Sequence, residues 1–201
     1  MWLLLQLVDG SFPSGGFAHS SGLEAAVQIG GLSVIEDFFD DTITQAAHGP
    51  LPFVRAACAS PVRAPELDAL CDATLPMAVP NRASRAQGRA LASAAKRIFE
   101  LEVDAQHHAV VFGALFGALE LSLDDAARAY LHGVARNVLS AGVRLGLVGP
   151  LEAQRIHASR ASLLSSTLAR IVPIDDVAQT APLVEIHAAL HHRLDARLFQ
   201  S

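Results

Sequence analysis

The stretch Leu91-Ala92-Ser93-Ala94-Ala95-Lys96-Arg97-Ile98-Phe99 decides the fold class. Leu91, Ala94, Ala95, Ile98 and Phe99 recur at i, i+3, i+4, i+7 and i+8, which gathers them on one side of an α-helix. The same helix extends back to Asn81, behind a linker at Pro76 to Pro80. Along it Arg82, Arg85, Arg89 and Lys96 share a second face, and no acid interrupts the run before Glu100. Such a basic face is either solvated or a docking surface for an acidic partner.

The helical pattern continues downstream. Ala105 to Leu119 is apolar and rich in small residues, which predicts a central helix. Ser122-Leu123-Asp124-Asp125 is a capping signal for a helix reaching about Leu147. Leu123, Tyr130, Leu131, Val134, Val138, Ala141 and Leu145 form its broad apolar face. Gly133, Asn137 and Ala141 recur every four residues, a spacing that lets a second helix approach closely, in the same protomer or across a dimer. Further helices are predicted over 151–171 and 182–195, before a tail at 196–201.

Upstream, Met1 to Val8 reads as a short buried helix, and Ser21 is placed to cap one running to about Ile29. Ser33-Val34-Ile35-Glu36 has the form of a capping box for a helix to about Ala47. Two more span about 51–60 and 66–74. No strand is predicted, because β-branched runs such as Arg170-Ile171-Val172 end at proline. The expected fold is all-α, a single domain over 1–201 built as a bundle of about nine to ten helices.

Composition narrows the function. The chain is 51% hydrophobic and 17% charged, against roughly 25% charged for an average soluble chain. Its mean hydropathy is +0.34, yet no apolar run approaches the roughly 18 residues that span a bilayer. So apolar a chain buries part of its surface against partners. The net charge of −5 argues against wholesale nucleic-acid binding. Cys58 and Cys71 form no C-x-x-C pair and read as small buried groups in a reducing compartment. The apolar start has no basic leader and no cleavage site, so a cytoplasmic location is expected.

A catalytic reading finds little support. His187 and His191, at i and i+4, have the spacing of a metal pair, but no Asp, Glu or Cys completes the set and Glu185 lies off that face. His107 and His108 diverge on a helix. Phosphate-loop, G-x-S-x-G and H-E-x-x-H motifs are absent. A small helical enzyme using His19, Ser20 or the His187/His191 pair stands as an alternative, with no tight metal site assigned.

One segment lies outside the helical pattern: Phe12-Pro13-Ser14-Gly15-Gly16-Phe17-Ala18-His19-Ser20-Ser21-Gly22-Leu23-Glu24. Proline fixes φ and glycine permits positive φ, so the backbone can turn sharply here. Its two phenylalanines either tuck into a core or face a partner. The segment resembles the Pro-x-Gly-Gly-Phe-x-His/Tyr-Ser-x-Gly-Leu-Glu signature of the UreF family of urease accessory proteins. Four further segments are similar to that family in the same order: Arg82 to Leu91, His107 to Gly113, Asn137 to Leu147 with Gln154, and the Arg197-Leu198-Phe199-Gln200-Ser201 ending. Asp195 and Gln200 depart from the pattern of the tail, and the chain lacks the longer N-terminal lead common in the family.

The resemblance implies a non-catalytic scaffold that dimerises and joins a UreD/UreH-type accessory protein and the GTPase UreG. The assembly delivers nickel to apo-urease, with the metal handled by the complex and no cofactor held tightly by this chain. A regulator of the GTPase's turnover is the alternative within the same setting. Carried over residue by residue, the resemblance points to Phe17 and Arg197 as partner-binding residues. Gly15, Gly16, His19, Leu198, Phe199 and Ser201 support them. The loop and the tail are expected to meet in space, each too short to hold its shape alone.

Overall fold

The computed structural model describes residues 1–201 as eleven α-helices joined by loops and four 3₁₀ turns, without a strand. The helices are α1 (Trp2–Val8), α2 (Leu23–Gln28), α3 (Ile35–Ala46), α4 (Pro50–Ala59), α5 (Ala64–Thr74), α6 (Ala78–Phe99), α7 (His108–Ala118), α8 (Leu123–Arg144), α9 (Pro150–Ser159), α10 (Ala161–Ala169) and α11 (Pro182–Leu190). The all-α expectation holds.

α7 is the axis of the bundle. Its first eight residues after His108 are buried all round, from Ala109 to Phe116. Because every side is covered, α7 has no polar stripe, as its sequence suggests. α4 lies directly on it. A Cβ at Gly113 would collide with the Val54 carbonyl, and one at Gly117 with the Cys58 carbonyl. These two glycines therefore let the backbones touch. α6 and α8 cover α7 further, and Phe112 stacks on Phe116 with ring centroids 4.5 Å apart. One contiguous apolar cluster draws in side chains from α1 to α9, from α11, and from Phe12 and Phe199 outside the helices. Cys58 and Cys71 are free and buried within it.

Several local expectations change. Ser122 caps α8 as predicted, accepting from Asp125 N at 3.1 Å. Ser33 caps nothing: α3 begins at Ile35 with Val34 at the cap, so the serine stands one position too early. Ser21 is not a cap either. α2 starts after Gly22, and the hydroxyl near its first turn is that of Ser20, 3.4 Å from Glu24 N. α6 begins at Ala78, inside the predicted linker, because Pro80 falls in the first turn, where a missing N–H costs no helical bond. The helix expected over 151–171 is two, broken at Arg160, whose guanidinium reaches back to Asp40 at 2.9 Å. α1 is only half covered, with Trp2 81% exposed and Leu7 its one buried residue. The small stripe on α8 receives no helix: a Cβ at Gly133 would meet nothing within 4 Å, and Asn137 packs instead on Gly16 of the loop.

Candidate docking site

The site is built from the Gly10–Ser21 loop, the start of α2, the end of α8 and the tail. Phe12 turns inward and stacks on Phe99 with centroids 6.3 Å apart. Phe17 does the opposite and stays 70% exposed. Gly15 adopts φ +77 and Gly22 φ +91, the left-handed region that glycine enters without strain. Gly22 also lies against α11, where a Cβ would stand 2.6 Å from Ala188 N.

The tail folds back onto this loop, as the sequence reading expected. Ser20 N donates to the Ser201 carbonyl at 2.5 Å and Gln200 N to the Ala18 carbonyl at 2.8 Å. Ser20 Oγ adds a bond to the Ser201 carbonyl at 3.1 Å, and His19 Nδ1 lies 2.5 Å from Ser201 Oγ. His19, Ser20 and Ser201 are buried, so pairing them removes the cost of leaving polar atoms unmatched away from water. Burial and then the neighbouring His191 push the His19 imidazole below its ordinary range, so the ring is neutral at pH 7.

Glu24 is the clasp. Its side chain is 2% exposed and accepts from Leu198 N at 2.6 Å, Phe199 N at 3.2 Å and His191 Nε2 at 2.9 Å. Gln28 Nε2 adds a fourth bond at 3.3 Å. Hydrogen bonds to a carboxylate are stronger than neutral ones, and four here converge on one buried group. The bond to His191 falls where α11 stops at Leu190 and the next three residues tighten into a 3₁₀ turn. His191 is thus spent on Glu24, while His187 packs its ring against Gly30. The i, i+4 pair does not converge on a common point, and no group of three or more His, Cys, Asp or Glu side chains could hold a metal ion.

Arg144 of α8 completes the joint. Its guanidinium lies 4.1 Å from the Phe17 ring centroid and 4.1 Å from that of Phe199, and Nη1 donates to the Phe17 carbonyl at 2.6 Å. A cation between two aromatic faces links loop and tail through one side chain. Outside this seam Phe17, Arg197 and Leu198 remain exposed, with Arg197 held only by Nε donating to the Leu194 carbonyl at 3.3 Å. Phe199 and Ser201 are buried, so they brace the surface and do not form it.

Sequence reasoning placed Phe17, Arg197 and their supports but missed Glu24, Arg144 and the use of His191. Glu24 stands in the quoted signature, and Arg144 falls in the Asn137–Leu147 segment. No local pattern gives a partner more than a hundred residues away. On α6 the four basic residues are not equivalent. Arg85 pairs with Asp72, Lys96 with Glu102 at 2.6 Å, and Arg89 donates to Gln106 at 3.2 Å, while Arg82 is exposed. The Arg85 bond, then Asn81 and, more weakly, His107, hold the Asp72 carboxyl far below the usual carboxylate range.

Beside it, His107 is fully buried between Ser84, 3.1 Å from Nδ1, and Asp72, 3.2 Å from Nε2. Serine, histidine and acid stand in line, but Ser84 Oγ also takes the His108 N–H and Asp68 takes those of Gln106 and His107. The cluster pins the start of α7 to α5 and α6.

Comparison with known proteins agrees with this architecture. The UreF family model matches residues 34–161. Urease accessory protein F of Arabidopsis thaliana is 36% identical, covering all of this chain and 92% of its own length. The protein of that name in Oryza sativa subsp. indica is 32% identical over 99% of the chain and 84% of its own length. Urease accessory protein UreF of Jannaschia sp. (strain CCS1) is 30% identical over 98% of the chain and 93% of its own length. A family match over more than half of the chain, joined by full-length relatives at this identity, establishes that the chain belongs to the UreF family of urease accessory proteins.

Proposed function

We propose that this protein is a non-catalytic, cytoplasmic scaffold in urease maturation, and that its loop–tail joint is the surface that recruits the partner GTPase. In this reading it acts as a dimer with a UreD/UreH-type accessory protein and a UreG-type GTPase on apo-urease. Nickel passes through the assembly and does not reside on this chain. The observation that carries the reading is the construction of the joint. Buried Glu24 and Ser20, with half-buried Arg144, spend polar groups on fixing the tail. What that fixing presents to solvent is one aromatic, one aliphatic and one guanidinium: Phe17, Leu198 and Arg197. Aromatic and arginine side chains on a rigid support are the groups that dominate interface energetics.

Substituting Arg197→Ala tests it. The side chain is exposed and donates one hydrogen bond, to a carbonyl three residues earlier, so helicity and dimer mass by light scattering should stay unchanged. Pull-down of the GTPase in the presence of the second accessory protein should fall about tenfold or more, the usual scale for an interface anchor. Undiminished pull-down would remove Arg197 from the recruiting surface. Tight stoichiometric nickel binding by the isolated protein in calorimetry would contradict the proposed route of the metal.

A further inference from the structure

Along α8, Arg136, Ser140 and Arg144 stand four residues apart on one face. This face floors a groove with two arms. One arm, about 440 Å³, runs beneath the Gly10–Phe17 loop, and the other, about 480 Å³, runs towards α9 at Pro150 and Ala153. Phe17, Arg136, Ser140 and Arg144 line both, so the two arms adjoin across the same side chains. No Asp or Glu side chain lines either arm, in a protein whose net charge is −5.

The two guanidinium groups are held by backbone, not by acids. Arg136 Nη1 donates to the Val8 carbonyl at 2.6 Å, as Arg144 does to that of Phe17. The ion pairs of the molecule involve other residues. The Asp9 carboxyl is lowered first by its bonds to Ser11 and only last by the field of Arg136. Each arginine carries five N–H donors and has spent one. Both cations are half-buried and neither is paired with a carboxylate, although the Phe17 and Phe199 rings flank Arg144. The remaining N–H groups of each are available to an acidic ligand.

We infer that this groove is a docking site for an extended acidic segment of a protein partner, with two carboxylates three or four residues apart. Eight helical residues separate the arginines by about 12 Å along α8, a distance that an extended peptide covers in roughly three to four residues. Nucleic acid fits less well, because acids elsewhere on the chain outnumber bases and phosphate tracking needs a continuous basic surface. An exposed Phe17 at the rim and apolar Leu139 and Val143 in the α9 arm suit a peptide with an apolar residue between its acids. The inference rests on the proposed reading only in taking this end of the molecule as the one that meets a protein.

The test uses the full chain and a fluorescein-labelled peptide, Ser-Glu-Ser-Leu-Ser-Glu-Ser, read by anisotropy at low salt. Binding should weaken about tenfold in Arg136→Gln, and equally when the peptide's two glutamates become glutamines, as loss of a close charge pair predicts. Arg136→Lys should retain most of the affinity, which separates charge from any structural role of the Val8 bond. Arg97→Gln, on an exposed end of α6, should change nothing. Equal binding by Arg136→Gln and the parent, or an equal loss in Arg97→Gln, would overturn the assignment. No accessory protein enters this assay, so its result stands independently of GTPase recruitment.

Discussion

Replacing Glu24 by glutamine should unfasten the tail while leaving the helices folded. The carboxylate takes Leu198 N and His191 at its two oxygens, with Phe199 N sharing the second. Glutamine keeps one acceptor and puts an NH₂ where the other stood, facing a donor. One buried donor then loses its partner, at about 1–3 kcal/mol, and the survivors lose charge assistance worth about 1 kcal/mol. The sum is about 2–4 kcal/mol. The tail can escape part of that cost by letting go, so the global loss should settle near 2 kcal/mol, a fall in melting temperature of about 4–8 °C for a chain of this size.

Urea denaturation measures the global term and amide exchange the local one. A free-energy change of about 2 kcal/mol corresponds to roughly thirtyfold faster exchange at Leu198 and Phe199, with α7 amides unchanged relative to the global stability. Repeating the substitution in a chain lacking residues 197–201 should reduce its cost to little more than that of the His191 and Gln28 bonds. Exchange at the two tail amides within threefold of the parent, or an undiminished cost in the shortened chain, would refute the clasp.

Two other predictions test the surroundings. Gly22→Ala should cost about 2 kcal/mol or more, because it combines a φ of +91 with a Cβ 2.6 Å from Ala188 N; thermal denaturation measures it, and a neutral outcome would mean that α11 can move aside freely. Acid should loosen the same region. Burial, with a smaller repulsion from His19, holds the His108 imidazole at about 4, and His19 is depressed as well. The unfolded chain therefore binds more protons than the folded one between about pH 6.5 and 4, so stability rises with pH across that window and is lost as pH falls through it. Because His108 is half-buried and lines a pocket open to solvent, its share is about 2 kcal/mol, below the roughly 3 kcal/mol of the full shift. Stability measured by urea at pH 7 and pH 4.5 should show that loss, and His108→Phe should flatten it.

The sequence was most legible where the physics is local. The apolar stripe of Leu91 to Phe99 and the unbroken apolar run of α7 predict helices because hydrophobic period and chain length settle them. Ser122 announces its helix because a cap acts within three residues. The misreadings have the same origin. Ser33 has the form of a capping box, yet packing of Ile35 and Phe38 sets where α3 begins. Arg160 lies in a good helical run, yet the run divides there into α9 and α10, at a residue whose side chain is engaged by Asp40, 120 residues away. At the candidate site the exposed groups were visible through resemblance, whereas Glu24, His191 and Arg144 act across 127 to 175 residues, beyond any spacing rule.

The joint also has a consequence for biosynthesis. Leu198 and Phe199 follow every helix in the chain, so they are made after all the residues of α1 to α11. A polypeptide cut short by a handful of residues would thus be a folded body with an empty seat at Glu24, soluble enough to persist but unable to offer Phe17 on a firm backing. On the proposed reading, translation that stops before the tail would yield bystanders that do not compete for partners.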